Sequence, residues 1–265
     1  MNDNLKKMAR AGYVAKGSVY GITGILTFLA AFNLGGEKTS QLEVLKFLDE
    51  QPFGNVLLAL LGVGLIFYAA WRYTQSIEDP EGIGEDKKGK VKRVAFFISG
   101  TLYLGLGAMA LWRVIGSGAG SGGSGSGNSA QNSSILDSEN GLIALGIIGA
   151  AIVGTGIYQF IRIYKADFMK KFDFESISEE KRRKTIKNSA YVGMASRGVL
   201  FLIIGYFALH AAITSNPSDI KTTRDAFSFL EDSSYGAWLL GIVAAGLVGY
   251  AVYMFMMARY RHFRG

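Results

Sequence analysis

Six apolar runs of about twenty residues divide this 265-residue chain, and its charges are concentrated in the gaps between them. That is the length a helix needs to cross a bilayer. The runs fall at 13–32, 55–73, 94–115, 142–164, 191–213 and 237–257. A lipid-exposed segment must satisfy its own backbone hydrogen bonds, which helices do within one segment. The pattern therefore predicts an all-α membrane protein of six transmembrane helices. The composition agrees: 49% of residues are hydrophobic and only 18% are charged, against about 25% in a soluble domain. Cysteine is absent, which excludes disulfides and thiolate chemistry.

The runs repeat. The first contains Lys16-Gly17-Ser18-Val19-Tyr20-Gly21-Ile22-Thr23-Gly24, so that Gly17, Tyr20 and Gly24 stand in a fixed pattern. Gly100, Tyr103 and Gly107 repeat it in the third run, and Gly198, Phe201 and Gly205 in the fifth. The second, fourth and sixth runs share Gly64-x-x-x-Tyr68, Gly154-x-x-x-Tyr158 and Gly246-x-x-x-Tyr250. The unit is a helical hairpin used three times. Two spans per unit give all three hairpins one orientation, as in parallel-repeat transporters, and allow a pseudo-threefold arrangement. Repeat 1 is placed at 1–75, a loop at 76–92 and repeat 2 at 93–165. A second loop and repeat 3 fill 166–265. Recurrence of its pattern makes the first run a retained span rather than a cleaved signal.

The connectors differ. Ser40-x-x-Glu43 is a capping box ahead of Val44, Leu45, Phe47 and Leu48, which predicts a short amphipathic helix at the bilayer surface. Ala226, Phe227, Phe229 and Leu230 repeat that apolar pattern in the third unit. The second unit has instead a Gly/Ser-rich outer loop at 116–134. It reads as flexible coil and fits an engineered linker and a natural low-complexity loop equally. Ser176-x-x-Glu179 is another capping box and predicts a helix starting there and running unbroken into the fifth span.

Orientation follows from the cations. Of 28 lysines and arginines, 22 fall on the side of the two termini and five on the other, with Arg197 inside the fifth run. Acidic residues divide almost evenly. The chain is thus expected in a bacterial cytoplasmic membrane with both termini cytoplasmic. One-sided charge accounts for the net +7 without nucleic acid. It makes membrane lipids, anionic ones included, the expected partners.

Site candidates are few. Lys16, Ser99 and Arg197 occupy one repeat position about a turn inside the cytoplasmic edge. Two accounts stay open: snorkelling of the long cations toward headgroups, and a lipid or anion contact at the cytoplasmic mouth. The glycine–aromatic–glycine motif reads as a helix-packing face, with a pore lining as its alternative. The tyrosines within the spans are expected to hydrogen-bond between helices. His210 is read as packed or interfacial. No HExxH, P-loop or usable GxSxG is present, and no carboxylate lies within a span. No metal, cofactor or catalytic residue is expected, which argues against an enzyme.

Arg10-Ala-Gly-Tyr-Val-Ala-Lys-Gly-Ser-Val-Tyr20, the stretch from Gln51-Pro-Phe-Gly to Tyr68-Ala-Ala-Trp71-Arg72, and Ala195-Ser-Arg-Gly-Val-Leu-Phe201 resemble the bacterial membrane family of domain of unknown function 1206. The resemblance implies three two-helix repeats and brings no established activity. The leading expectation is a non-enzymatic scaffold, interaction or lipid-associated protein. The alternative is a small channel or carrier with a path between the repeats. A membrane enzyme acting on lipid is a third, weaker reading.

Overall fold

The structure, a computed structural model, describes residues 3–116, 139–172, 177, 179–215 and 220–263. Six long helices are apolar enough to cross a membrane: α1 (Asp3–Ala31), α3 (Gly54–Ile77), α4 (Lys87–Gly116), α5 (Glu139–Lys165), α6 (Glu180–Thr214) and α8 (Gly236–Tyr260). Two short ones, α2 (Gln41–Asp49) and α7 (Thr223–Glu231), connect the hairpins of repeats 1 and 3. The protein is an all-α, six-span membrane protein.

Several helices outrun their apolar cores because nothing stops them. Neither Gly nor Pro interrupts Asp3–Ala11, so α1 extends nearly three turns before the apolar run. The long helix α6 passes without a break from charged to apolar sequence. It starts later than its sequence predicts. Its N-cap is Glu179, which makes no side-chain cap, and Ser176 lies outside the described residues, as do 117–138 of the Gly/Ser-rich loop. The Ser40–Glu43 capping box of α2 forms as read. The helix α7 has its own box, Thr222 with Asp225. Asp in place of Glu made that signature harder to see.

Around the bundle the spans follow chain order. Packed neighbours are α1 with α3, α3 with α4, α5 with α6, α6 with α8, and α8 back to α1. Three of these junctions, α3/α4, α5/α6 and α8/α1, join different repeats and use the same motif. A Cβ on Gly24 would sit 2.8 Å from the Ala244 carbonyl oxygen, one on Gly107 2.9 Å from that of Gly62, and one on Gly205 2.8 Å from Val153 N. Gly17 faces Phe255, Gly100 faces Tyr73 and Gly198 faces Phe160. Small residues here let backbones approach closely where lipid supplies no hydrophobic drive.

The ring opens at one place. Among the described residues α4 and α5, the two halves of repeat 2, share no extensive contact. The repeats differ at the crossing positions. Gly12 in repeat 1 crosses α3 so closely that a Cβ would lie 2.6 Å from Tyr68 Cα, and Gly193 in repeat 3 crosses α8 with 2.5 Å to Tyr250 Cα. Repeat 2 has Ala95 at that position. Gly64 packs on Ala15 and Gly246 on Ser196, whereas the matching Gly154 has nothing within 4 Å, and the residue that would face it is Ile98. In repeat 2 a larger side chain thus stands at each of the two positions where the other hairpins close.

On the face away from the termini, α2 and α7 tie repeat 1 to repeat 3. Arg224 Nη1 lies 2.8 Å from Glu43 Oε1, and Lys38 pairs with Glu231. Burial places the Glu43 carboxyl higher, but Ser40 and Arg224 outweigh that and hold it below its usual range.

Candidate functional site

Lys16 does not snorkel. Only 2% exposed, it turns into the bundle and donates a 2.9 Å hydrogen bond to Tyr68 Oη. Its ammonium also lies 4.7 Å from the Tyr103 ring centre, 5.7 Å from Tyr250 and 5.9 Å from Tyr20, distances at which ring quadrupoles attract a cation. Four tyrosines from α1, α3, α4 and α8 thus box one lysine. They pack edge to face, with Tyr20 and Tyr250 centred 4.9 Å apart and Tyr68 and Tyr103 4.8 Å apart. Tyr103 donates a long 3.4 Å hydrogen bond to Tyr20.

Arg197 joins this cluster from α6. Its guanidinium lies 5.1 Å from the Tyr20 ring and 4.4 Å from Tyr250, and its Nε is buried without a hydrogen-bond partner. The structure therefore brings Lys16 and Arg197 to the same pair of rings. Ser99 is half-buried on α4 and makes no side-chain hydrogen bond among the described residues. Tyr158, the repeat equivalent of Tyr68 and Tyr250, stays outside the box at 42% exposure, because α5 stands away from α4. His210 packs beside Tyr206, with ring centres 6.1 Å apart.

Tyr68 also links the box to a cavity. Arg72, one turn further along α3, points both Nε, at 2.8 Å, and Nη2 at Tyr68 Oη, and donates from Nη1 to Gln75 Oε1 at 3.0 Å. Arg72 then lines a cavity of about 420 Å³ with Lys92 and Phe96 of α4, Tyr158 and Arg162 of α5, Lys170, Lys171 and Arg261. This is the face that carries most of the cations. Glu81 is the one carboxylate in the lining among the described residues.

Glu81 is already engaged. It accepts from Lys171 at 3.2 Å, from Gln75 Nε2 at 2.6 Å and from Arg261. Partial burial alone would raise its carboxyl; the charges of Lys171 and Arg261 prevail and hold it at about 2. Burial, reinforced by Arg261, pushes the Lys171 ammonium down to about 7 against the opposing pull of Glu81. The chain after α8 closes this corner: Arg261 reaches Tyr13, His262 N bonds the Lys171 carbonyl at 3.0 Å, and Phe263 packs on Trp71 with ring centres 5.4 Å apart.

The described lining is thus predominantly cationic. Among the described residues neither Arg72 nor Arg162 forms an ion pair with a carboxylate; Arg72 bonds Gln75, and Arg162 makes a 3.5 Å bond to Gln159. No group of three potential metal ligands occurs among the described residues. Sequence reasoning missed Arg72 and Arg162, which it counted only as topology cations. Their place one turn beyond the recurring span tyrosines, and close to it, was the available signal.

The pattern of the Domain of Unknown Function (DUF1206) matches this chain three times, at residues 11–78, 94–165 and 192–261. The chain belongs to the DUF1206 family. Within it, this DUF1206 protein is 33% identical to Uncharacterized protein YxxB of Bacillus subtilis (strain 168) over 258 residues, 97% of this chain and 92% of that one. No solved structure matches. The three matched segments of the DUF1206 protein correspond to the three hairpins, and both walls of the open junction, α4 and α5, lie in the second.

Proposed function

We propose that this DUF1206 protein is a non-enzymatic, lipid-associated protein of the bacterial cytoplasmic membrane, with both termini cytoplasmic, that holds the headgroup of an anionic lipid between α4 and α5. One observation carries the reading. Among the described residues a cavity of about 420 Å³ is lined by six lysines and arginines against one carboxylate, and α4 and α5, which both contribute to it, share no extensive contact. Cavities of this size suit small ligands or headgroups. Cations on the cytoplasmic side attract anionic lipid, and arginine matches phosphate oxygens in pairs. A gap between helices gives the chain attached to a headgroup a way into the bilayer.

What supports binding over conduction is the bundle axis. A channel needs a continuous polar path, and there four tyrosine rings pack edge to face around Lys16. The test is lipid retention. Purified protein in nanodiscs is expected to retain phosphatidylglycerol over phosphatidylcholine by native mass spectrometry, and Arg162→Gln to weaken that preference. Equal retention of the two lipids, or sustained selective ion flux in liposomes, overturns the proposal.

A further inference from the structure

Independently of the lipid-headgroup reading, we propose that the tyrosine box binds one small monovalent anion, such as a halide, held by Lys16 and Arg197 at the bundle axis.

Charge is the first argument. Lys16 and Arg197 share two rings. The ammonium lies 5.7 Å and the guanidinium 4.4 Å from the centre of Tyr250, and 5.9 Å and 5.1 Å from that of Tyr20. Like charges this deep in the bundle repel, and both have given up hydration. None of the six apolar runs contains an Asp or a Glu. Among the described residues neither cation pairs with a carboxylate. Ring faces attract a cation without neutralising it. The counter-charge therefore has to come from outside the chain.

Unmatched donors are the second. A guanidinium carries five N–H donors, and Arg197 makes no hydrogen bond among the described residues. Lys16 uses one of its three donors, on Tyr68. Thr23 follows Tyr20 by one turn on the same face of α1. It is only 1% exposed, and its hydroxyl has no partner either. Among the described residues three buried side-chain atoms lack a partner, and the two within the spans are Arg197 Nε and Thr23 Oγ1. Buried polar groups are nearly always satisfied. Unsatisfied donors gathered around Tyr20 point to an acceptor that the chain does not supply.

Size and hydration narrow the ligand. Neither Lys16 nor Arg197 lines the 420 Å³ cavity, and none of Tyr20, Tyr103 and Tyr250 does. Rings centred 4.8 and 4.9 Å apart around a buried lysine have no room for a phosphorylated headgroup. The walls are aromatic, and the guanidinium is itself weakly hydrated. Such a site returns little for lost water, so it favours an anion of low charge density that sheds water readily.

The test is thermal unfolding of the full chain in detergent at constant ionic strength, with gluconate replaced stepwise by chloride, bromide or fluoride. Above the dissociation constant, the midpoint is expected to rise by about 3 °C or more for each tenfold increase in chloride. Bromide should match or exceed chloride, and fluoride should do nothing. Arg197→Gln and Lys16→Met are expected to abolish the rise. In gluconate Lys16→Met starts from a higher midpoint, because an uncompensated charge is gone; the halide response is read within each variant. Lys92→Gln alters the cleft eleven residues before Tyr103 on α4 and is expected to keep the full response. Crystals of the parent protein grown in bromide give a reading that no variant's folding can confuse, an anomalous peak beside the Arg197 guanidinium. A midpoint indifferent to halide overturns the proposal, as does a response lost in Lys92→Gln or bromide found only in the cleft. Lipid preference is measured separately by retention of phosphatidylglycerol, so failure of either proposal leaves the other standing.

Discussion

Lys16 and Tyr68 meet inside the helix bundle at 2.9 Å, and no carboxylate pairs with the lysine among the described residues. A buried cation balanced by phenol and ring faces alone lowers stability, since desolvation outweighs what those partners return. Lys16→Met keeps the length and removes the charge. It is expected to raise the thermal unfolding midpoint in detergent while leaving the fold unchanged by circular dichroism. A lowered midpoint would mean that the lysine holds the tyrosine box together.

Tyr68 and Tyr103 sit side by side in that box yet carry different loads. Tyr68 Oη accepts from two charged side chains, whereas Tyr103 donates one 3.4 Å bond to Tyr20. Hydrogen bonds to charged groups contribute about 1.5–3 kcal/mol, and neutral ones between membrane helices about 0.6 kcal/mol. Tyr68→Phe is therefore expected to cost at least twice what Tyr103→Phe costs. Unfolding of the two variants by denaturant in mixed micelles gives the comparison.

Much of this architecture was legible in the chain, for physical reasons. Spanning length, one-sided cations and a glycine pattern seen three times dictate six helices in three like-oriented hairpins. The box was only half legible. Repeat equivalence marks Tyr68, Tyr158 and Tyr250 alike, but whether a tyrosine reaches the axis depends on how closely its helix is crossed. The close crossings lie elsewhere in the sequence, at Gly12 and Gly193, where repeat 2 has Ala95. Arg72 and Arg162 look like any cation at a span's end. Their inward direction belongs to helix rotation, which the charge count does not carry. Arg261 lies 180 residues from its partner Glu81, a pairing made only by tertiary folding.

The Glu81 corner predicts opposite responses at the two ends of the pH scale. Held at about 2 in the fold, Glu81 contributes stability that is full above its unfolded value near 4.3. That contribution is lost as pH falls toward 2. Lys171 is lowered from 10.5 to about 7. The unfolded chain then binds the extra proton between those values, so stability rises as pH climbs from 7 to 10.5. Glu81→Gln should remove the acid loss, and Lys171→Met the alkaline gain. Midpoints of thermal unfolding from pH 3 to 10 check both. A flat profile in the parent protein refutes the assignment.

The gap between α4 and α5 gives the most exacting test, because two substitutions address it. Gly12→Ala or Gly193→Ala places a methyl against tyrosine backbone, which cannot move aside, and is expected to destabilise by about 3 kcal/mol. Gly154→Ala meets nothing within 4 Å and should be neutral or gain up to about 1 kcal/mol from helix propensity. The reverse change is more telling. Ala95→Gly with Ile98→Ala recreates in repeat 2 the surface that lets the other hairpins close. The chain has no cysteine, so a pair placed on α4 and α5 reports their separation without background. Spin labels at 102 and 151 should move several ångströms closer in the double variant, the exposed face of Tyr158 should become protected, and lipid retention should fall. Unchanged separation would mean that something other than Ala95 and Ile98 holds repeat 2 open.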